Sequence, residues 1–229
     1  MTILLAIETS TEIASVSLNI GTRIISRDLS GVQTHSHGLL PAIQELLLDA
    51  ELGLQQVGAL AFGCGPGAFT GTRTACGVVQ GLAYGLNLPV IPVVSLAMMA
   101  EAAYLHSGYQ EMLCLLDARM DEVYWAHYRR QGEQWVELVA PRLGAQNDAV
   151  ALARLRQLPV VLGDGLQLLA SDSDIVMTRE RPHAEFAVRI ALRAFDLGMT
   201  VDAAQAQPLY LRNKIAQTTA ERLSLRESR

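Results

Sequence analysis

Few residues in this chain carry the types and spacing that chemistry requires. His35-x-His37 has the look of a metal fragment. A helical ligand pair, however, needs a second histidine four residues on, and those positions hold Leu39 and Pro41. No Cys or carboxylate stands beside the pair at ligand spacing, so a solvated or capping role is the simpler reading. Gly63-Cys64-Gly65-Pro66-Gly67 begins a glycine-rich run that reaches Arg73. Glycines between a strand and a helix can present backbone N–H groups to an anion. Here Gly65-x-Gly67-x-x-x-Gly71 is one residue too long for the dinucleotide fingerprint, and no Gly-Lys-Ser/Thr follows. The competing reading, a tight turn that brings helix and sheet together, fits the spacing better.

Glu8-Thr9-Ser10-Thr11-Glu12 could meet a phosphate or ribose, or form a plain hydrogen-bonded turn. Asp117, Arg119, Asp121 and Glu122 crowd charge into one turn before Tyr124 and Trp125, which suits a solvated hairpin or an interaction surface. Cys64, Cys76 and Cys114 are scattered without a Cys-x-x-Cys, as in a protein of a reducing cytoplasm. Lys214 is the only lysine, so no Walker lysine follows the glycine loop and Schiff-base chemistry is disfavoured. No Ser/His/Asp or Cys/His set can be assembled from sequence.

The elements that must position these residues follow from periodicity. Ile3 to Ile7, Ala14 to Ile20 and Arg23 to Leu29 read as three strands of an antiparallel meander. Leu39, Ile43, Leu46, Leu47 and Ala50 form the apolar stripe of a helix over 36–50, with Leu48 almost opposite. A strand over 57–62, the glycine loop, a helix over 69–86, a strand over 89–94 and a helix over 95–106 capped by Ser95 come next. The second half repeats this grammar more loosely. Strands are expected over 112–116, 123–128, 134–139 and 160–162, with helices over 149–157 and 182–197. Alternating strands and helices predict an α/β fold with mixed sheets flanked by helices. Two lobes, 1–104 and a smaller 105–229, are the expected division, with a mobile polar tail from about 213.

Charge is distributed oddly. The chain has 229 residues and a formal charge of −5, with basic residues almost all arginine, which argues against a stand-alone nucleic-acid binder. Yet from 30 to 100 the only charged residues are Glu45, Asp49, Glu51 and Arg73, and none lies between Arg73 and Glu101. Gln80, Asn87, Pro89, Pro92 and Ser95 interrupt this stretch, and no basic cluster flanks it, so it is not read as a membrane span. The opening run reaches Glu8 without a basic segment and reads as a strand instead of a signal peptide. Gly77, Gly81 and Gly85 form a ladder through the uncharged helix. Each glycine there costs roughly 1 kcal/mol relative to alanine, so close approach by another helix must offset the cost. That helix can belong to this chain or to another. Interface cores are depleted of charge, and part of the first hundred residues is expected to be covered by a partner.

Leu5-Ala6-Ile7-Glu8-Thr9-Ser10-Thr11, Gly65-Pro66-Gly67-Ala68-Phe69-Thr70-Gly71-Thr72-Arg73, Asp117-Ala118-Arg119-Met120-Asp121-Glu122-Val123-Tyr124 and Pro208-Leu209-Tyr210-Leu211-Arg212 together resemble the bacterial TsaB (YeaZ) family. The resemblance implies a two-lobed actin-like, Hsp70-like (ASKHA) fold. It also implies a cytoplasmic, non-catalytic part in making N6-threonylcarbamoyladenosine at position 37 of tRNAs reading codons that begin with A. The implied partners are TsaD, which transfers the threonylcarbamoyl group, and the ATPase TsaE. Self-association as a homodimer through the same surface, tRNA contact only through the complex, and no resident cofactor are implied as well. The family's interface helices fall on 36–50 and 69–86, making Leu39, Ile43, Leu46, Arg73, Gly77, Gly81 and Gly85 the candidate contacts. Unlike TsaD, this chain lacks the paired histidines of the first-lobe helix. The competing class is an actin-like ATPase or a metal-independent peptidase.

Overall fold

The computed structural model describes residues 2–29, 35–168 and 172–212. The first sheet begins with the expected meander, β1 (Leu4–Glu8), β2 (Ala14–Ile20) and β3 (Arg23–Leu29). Helix α1 (His35–Asp49) leads to β4 (Ala59–Gly65), α2 (Phe69–Leu86) and β5 (Val90–Val94). The strand order is β3-β2-β1-β4-β5, antiparallel through the meander and parallel from β1 to β5. Helix α3 (Ser95–Ser107) then enters the second lobe.

That lobe repeats the plan. β6 (Glu111–Asp117), β7 (Glu122–Gln131) and β8 (Gln134–Ala145) form a second meander, followed by α4 (Gln146–Arg156), β9 (Val160–Leu162), β10 (Met177–Arg179) and α5 (Ala184–Asp196). Its order, β10-β9-β6-β7-β8, mirrors the first sheet, with β9 and β10 parallel to β6. The architecture is the two-lobed α/β one that the family resemblance implies.

Period-two alternation splits the first sheet's residues between two cores. Leu5 and Ile7 of β1 face α1 and α2, in a cluster with Leu39, Ile43, Leu46, Phe62, Ala75 and Val79. Leu4 and Ala6 face the other way, toward Met98 and Ala102 of α3 and Ala184, Ala187 and Ala191 of α5. The small side chains on this side let α5 lie close to the sheet. The two sheets fall on either side of residue 105, but α5 belongs to the first lobe's packing although it lies late in the chain.

Helix α3 is apolar all round because it is sandwiched. Met98 and Ala102 serve the first sheet, while Leu96, Met99, Ala100 and Ala103 pack on Met112, Cys114 and Tyr128 of the second. A helix without a polar face is a buried one. Its Glu101 is 1 % exposed and takes two bonds from Arg193 (2.6 and 3.1 Å), one from Arg130 (3.2 Å) and one from Trp135 Nε1 (2.8 Å). Burial alone would raise its pKa, but these donors and the two arginine charges outweigh that and hold it lowered. This cluster ties α3 and α5 to the second sheet.

Some expectations need correction. Ser95 does not cap α3: Val94 is the N-cap, and the Ser95 hydroxyl is buried without a partner. β4 continues through Gly63-Cys64-Gly65, expected as loop, with a register shift against β5. β8 runs on to Ala145 through Pro141, which an edge strand tolerates because no neighbour needs its N–H. β10 was not anticipated; its three residues carry no readable alternation. The tail expected from about 213 lies outside the described residues.

Candidate functional site

Two surfaces gather the residues singled out from sequence, and both involve α2. This helix buries Gly71, Thr72, Ala75, Cys76, Val79 and Ala83 against the sheet. These are helical spacings, so the opposite stripe must face outward. There stand Arg73, Gly77, Gly81, Tyr84 and Gly85, all exposed, with Tyr84 86 % accessible. A Cβ added at Gly77, Gly81 or Gly85 would meet no atom within 4 Å. No described part of the chain therefore supplies the close neighbour that the ladder anticipated.

α1 covers the same face of the sheet beside α2. The structure corrects its expected contacts: Leu39, Ile43 and Leu46 are 0, 3 and 1 % exposed and belong to the chain's own core. Residues on the side facing the sheet cannot also face a partner. The large apolar residues that α1 turns outward are Leu40 and Leu48, the latter 74 % exposed. Glu45 and Asp49 turn aside to pair with Arg27 of β3, at 3.0 and 2.5 Å. What remains outward is poor in charge: Leu40, Pro41, Gln44 and Leu48 on α1, and the three glycines and Tyr84 that follow Arg73 on α2.

The second surface is a cleft of about 970 Å³ between the lobes. One wall carries Ser10 to Ile13 and the start of α2, and the other carries Leu116 to Met120, Asp164 and Gly165. The glycine loop builds the first wall by close approach. A Cβ on Gly71 would overlap the Thr9 carbonyl, one on Gly67 would lie 2.5 Å from the Ser10 carbonyl, and one on Gly63 would overlap the Glu8 carboxylate. Thr9 Oγ1 donates to the Gly71 carbonyl at 2.6 Å. The glycines are thus explained by packing of the β1–β2 turn on the β4–α2 loop.

Glu8 is fully buried beneath this loop. Its Oε1 accepts from the Ser10 N–H, and its Oε2 has no partner. Burial raises its pKa, and the hydrogen bonds from Ser10 and Thr9 offset the rise only in part. Across the cleft Arg119 pairs with Asp117 at 3.1 Å and reaches Glu12 at 3.9 Å. Sequence reasoning had not brought Glu12, Asp117 and Asp164 into one cleft, because only the two-lobed topology joins turns so far apart in the chain.

Nucleophilic chemistry finds little support. The three thiols are buried, and burial pushes Cys64 up to about 12 and raises Cys76 and Cys114 as well. His106, His127 and His183 pair with Glu180, Glu111 and Asp28, and none of them lines the cleft. His37 is exposed on α1. Among the described residues no three His, Cys, Asp or Glu converge as a metal site requires, and no helix is long and apolar enough to cross a membrane.

Comparison with known proteins adds family context. A family model described as TsaD, tRNA N6-adenosine threonylcarbamoyltransferase, matches residues 26–219. The chain is 38 % identical to the tRNA threonylcarbamoyladenosine biosynthesis protein TsaB of Escherichia coli strain K12, covering 93 % of this chain and 96 % of the relative. The protein of the same name from Haemophilus influenzae is 36 % identical over 93 % of this chain and 94 % of its own. Among solved structures, YeaZ from Pseudomonas aeruginosa superposes with a TM-score of 0.78 at 36 % identity, covering 92 % of this chain and 100 % of that one. A second Pseudomonas aeruginosa structure, described by similarity to the peptidase YeaZ, gives a TM-score of 0.81 at 37 % identity over 93 % and 100 %. With relatives this similar along nearly their whole lengths, the chain belongs to the TsaB (YeaZ) family.

Proposed function

We propose that this chain is a non-catalytic subunit that docks TsaD and holds it competent to form N6-threonylcarbamoyladenosine at position 37 of tRNAs reading codons that begin with A. The names of its TsaB relatives support the pathway, and the family-model match supports kinship with the transferase itself. The observation that carries the docking role is the open stripe Gly77, Gly81 and Gly85 that follows Arg73 on α2: it is uncharged, and a Cβ at any of the three would meet nothing in its own fold. Three helical glycines at a solvent surface are unfavourable for the subunit alone, and close contact with a partner helix offsets that cost. TsaE joins the assembly, the same stripe serves a homodimer when TsaD is absent, and tRNA is met only through the complex. The working compartment is the cytoplasm.

An ATPase or peptidase role is the weaker reading. A thiolate nucleophile is opposed by the raised cysteines, and among the described residues no histidine lines the cleft to serve as a neutral-pH base. The deciding experiment mixes the purified chain with TsaD and measures association on a sizing column together with tRNA modification. Gly81→Leu should leave the chain folded, abolish co-elution and abolish the gain in modification. Full co-elution of that variant refutes the placement, and nucleotide or peptide hydrolysis by the chain alone, lost on mutation of the cleft, refutes the non-catalytic role.

A further inference from the structure

One segment ties both surfaces together. After α5 the chain runs on along the first lobe, where the buried Ala206 carbonyl accepts from Cys76 Sγ (3.2 Å) and Gln80 Nε2 (2.8 Å) of α2. Leu209 N–H then donates to the Cys64 carbonyl of β4 at 2.7 Å. One residue later Tyr210 holds the start of the docking helix: its hydroxyl accepts from Arg73 Nε at 2.8 Å, and its ring lies 6.1 Å from that of Phe69. The Arg73 guanidinium is itself stacked 3.7 Å over the Phe69 ring. Two residues further, Arg212 has crossed to the other lobe. It donates to the Ala118 carbonyl at 3.1 Å, pairs with Glu122 at 2.7 Å and approaches Met120 Sδ at 3.8 Å.

The turn that Arg212 grips is under backbone strain. Arg119, Met120 and Asp121 have φ of 63, 60 and 60°, three successive non-glycine residues in the left-handed region. Such conformations persist where surrounding contacts over-determine them. The contacts here are the bonds within the turn and the Arg212 guanidinium, only 18 % of whose side chain is exposed. A charge-assisted, half-buried pair of this kind is worth more than an exposed one.

We propose that residues 209–212 are a strap through which the 118–122 turn of the second lobe sets the attitude of the open end of α2, with Arg212 and Tyr210 as positioning residues for docking. The proposal rests on the docking reading above for its consequence, but not for its mechanics. Arg73 heads the open stripe, so whatever moves Tyr210 moves the first contact a partner meets.

Amide hydrogen exchange on the full chain tests the mechanics. Arg212→Met should speed exchange about tenfold both in 118–122 and in the first turns of α2, residues 72–77, while the sheet cores keep their protection. Tyr210→Phe should speed only the α2 amides. Glu122→Gln, made in the second lobe, should speed both by a smaller factor, and it decides the matter if Arg212→Met does not fold. Faster exchange in 118–122 with α2 unchanged overturns the strap. Association with TsaD tests the consequence separately. A wild-type chain that fails to bind TsaD defeats the docking reading and leaves the exchange result standing. A wild-type chain that binds, beside an Arg212→Met chain that binds equally well despite faster α2 exchange, overturns the positioning role.

Discussion

Replacing Gly77, Gly81 and Gly85 together by alanine should move stability and association in opposite directions. Each site is exposed, helical and empty within 4 Å of the new Cβ. Nothing in the isolated fold opposes the methyl group, and alanine gains about 0.8–1.0 kcal/mol over glycine in a helix interior. Gly85 lies next to the last residue of α2 and gains less, so the sum is about 2 kcal/mol. For a chain of this size that corresponds to a rise of roughly 4–8 °C in Tm. Thermal unfolding would be followed at several dilutions, so that any self-association through the same stripe separates from intrinsic stability. Titration calorimetry with TsaD gives the second arm. Three methyl groups set between close-packed helices should weaken binding at least about fivefold, since overpacking costs about 1–3 kcal/mol. A destabilised variant would mean that an unrecognised contact already covers the stripe. A stabilised variant with undiminished TsaD affinity would refute the inference that these glycines exist for a partner.

Other perturbations read other parts of the structure. Gly71→Ala, where the Cβ would overlap the Thr9 carbonyl, should lower stability by about 3 kcal/mol or more in denaturant titration, the opposite sign to the ladder. Glu101→Gln leaves the partly buried Arg130 and Arg193 without their carboxylate and should cost about 3–5 kcal/mol at neutral pH. Because the folded pKa of Glu101 is lowered, its contribution is present above the ordinary carboxylate range and is lost as pH falls through the lowered value, so mutant and parent should converge in acid. Glu8 has the reverse sign: its raised folded pKa means that stability is fully present in acid and declines as pH rises above the ordinary carboxylate range. Glu8→Gln should remove that decline, read as a flatter Tm-versus-pH profile than the parent's; an unchanged slope would show that Glu8 is not the group responsible.

Much of the fold could be read from periodicity because most elements carry one clean face. β2, β3, α2 and β9 begin and end where alternation or helical spacing places them. Boundaries moved where the signal depends on neighbours: β4 extends into its glycines because β5 pairs with them, and β8 outlasts its apolar pattern because β7 does. The cleft was illegible for a different reason. Glu12, Asp117 and Asp164 meet only after two meanders have folded and α3 has set the lobes against each other.

The uncharged stretch shows where sequence reasoning reaches its physical limit. A core and an interface both exclude charge for the same reason, the cost of desolvating an ion, so absence of charge cannot tell them apart. After Arg73 the stretch divides into two kinds of surface. The start of α3, as far as Ala100, is uncharged because it is enclosed between the two sheets of this chain, and β5 turns Ile91 and Val93 into the same core. The outward stripe of α2 is uncharged with no described neighbour at all. The same ambiguity misassigned α1, whose strongest apolar stripe, Leu39, Ile43 and Leu46, was read as contact and is core. Leu48, nearly opposite that stripe, was the residue that marked the outer face. Glycine separates the two cases better than hydrophobicity does. A core glycine is held by an atom that its missing Cβ admits, as at Gly63, Gly67 and Gly71, whereas Gly77, Gly81 and Gly85 admit nothing within the subunit. A repeated helical cost with no internal return points outward, and that asymmetry between two glycine triplets set fourteen residues apart is the strongest physical argument that this lobe is one half of a contact.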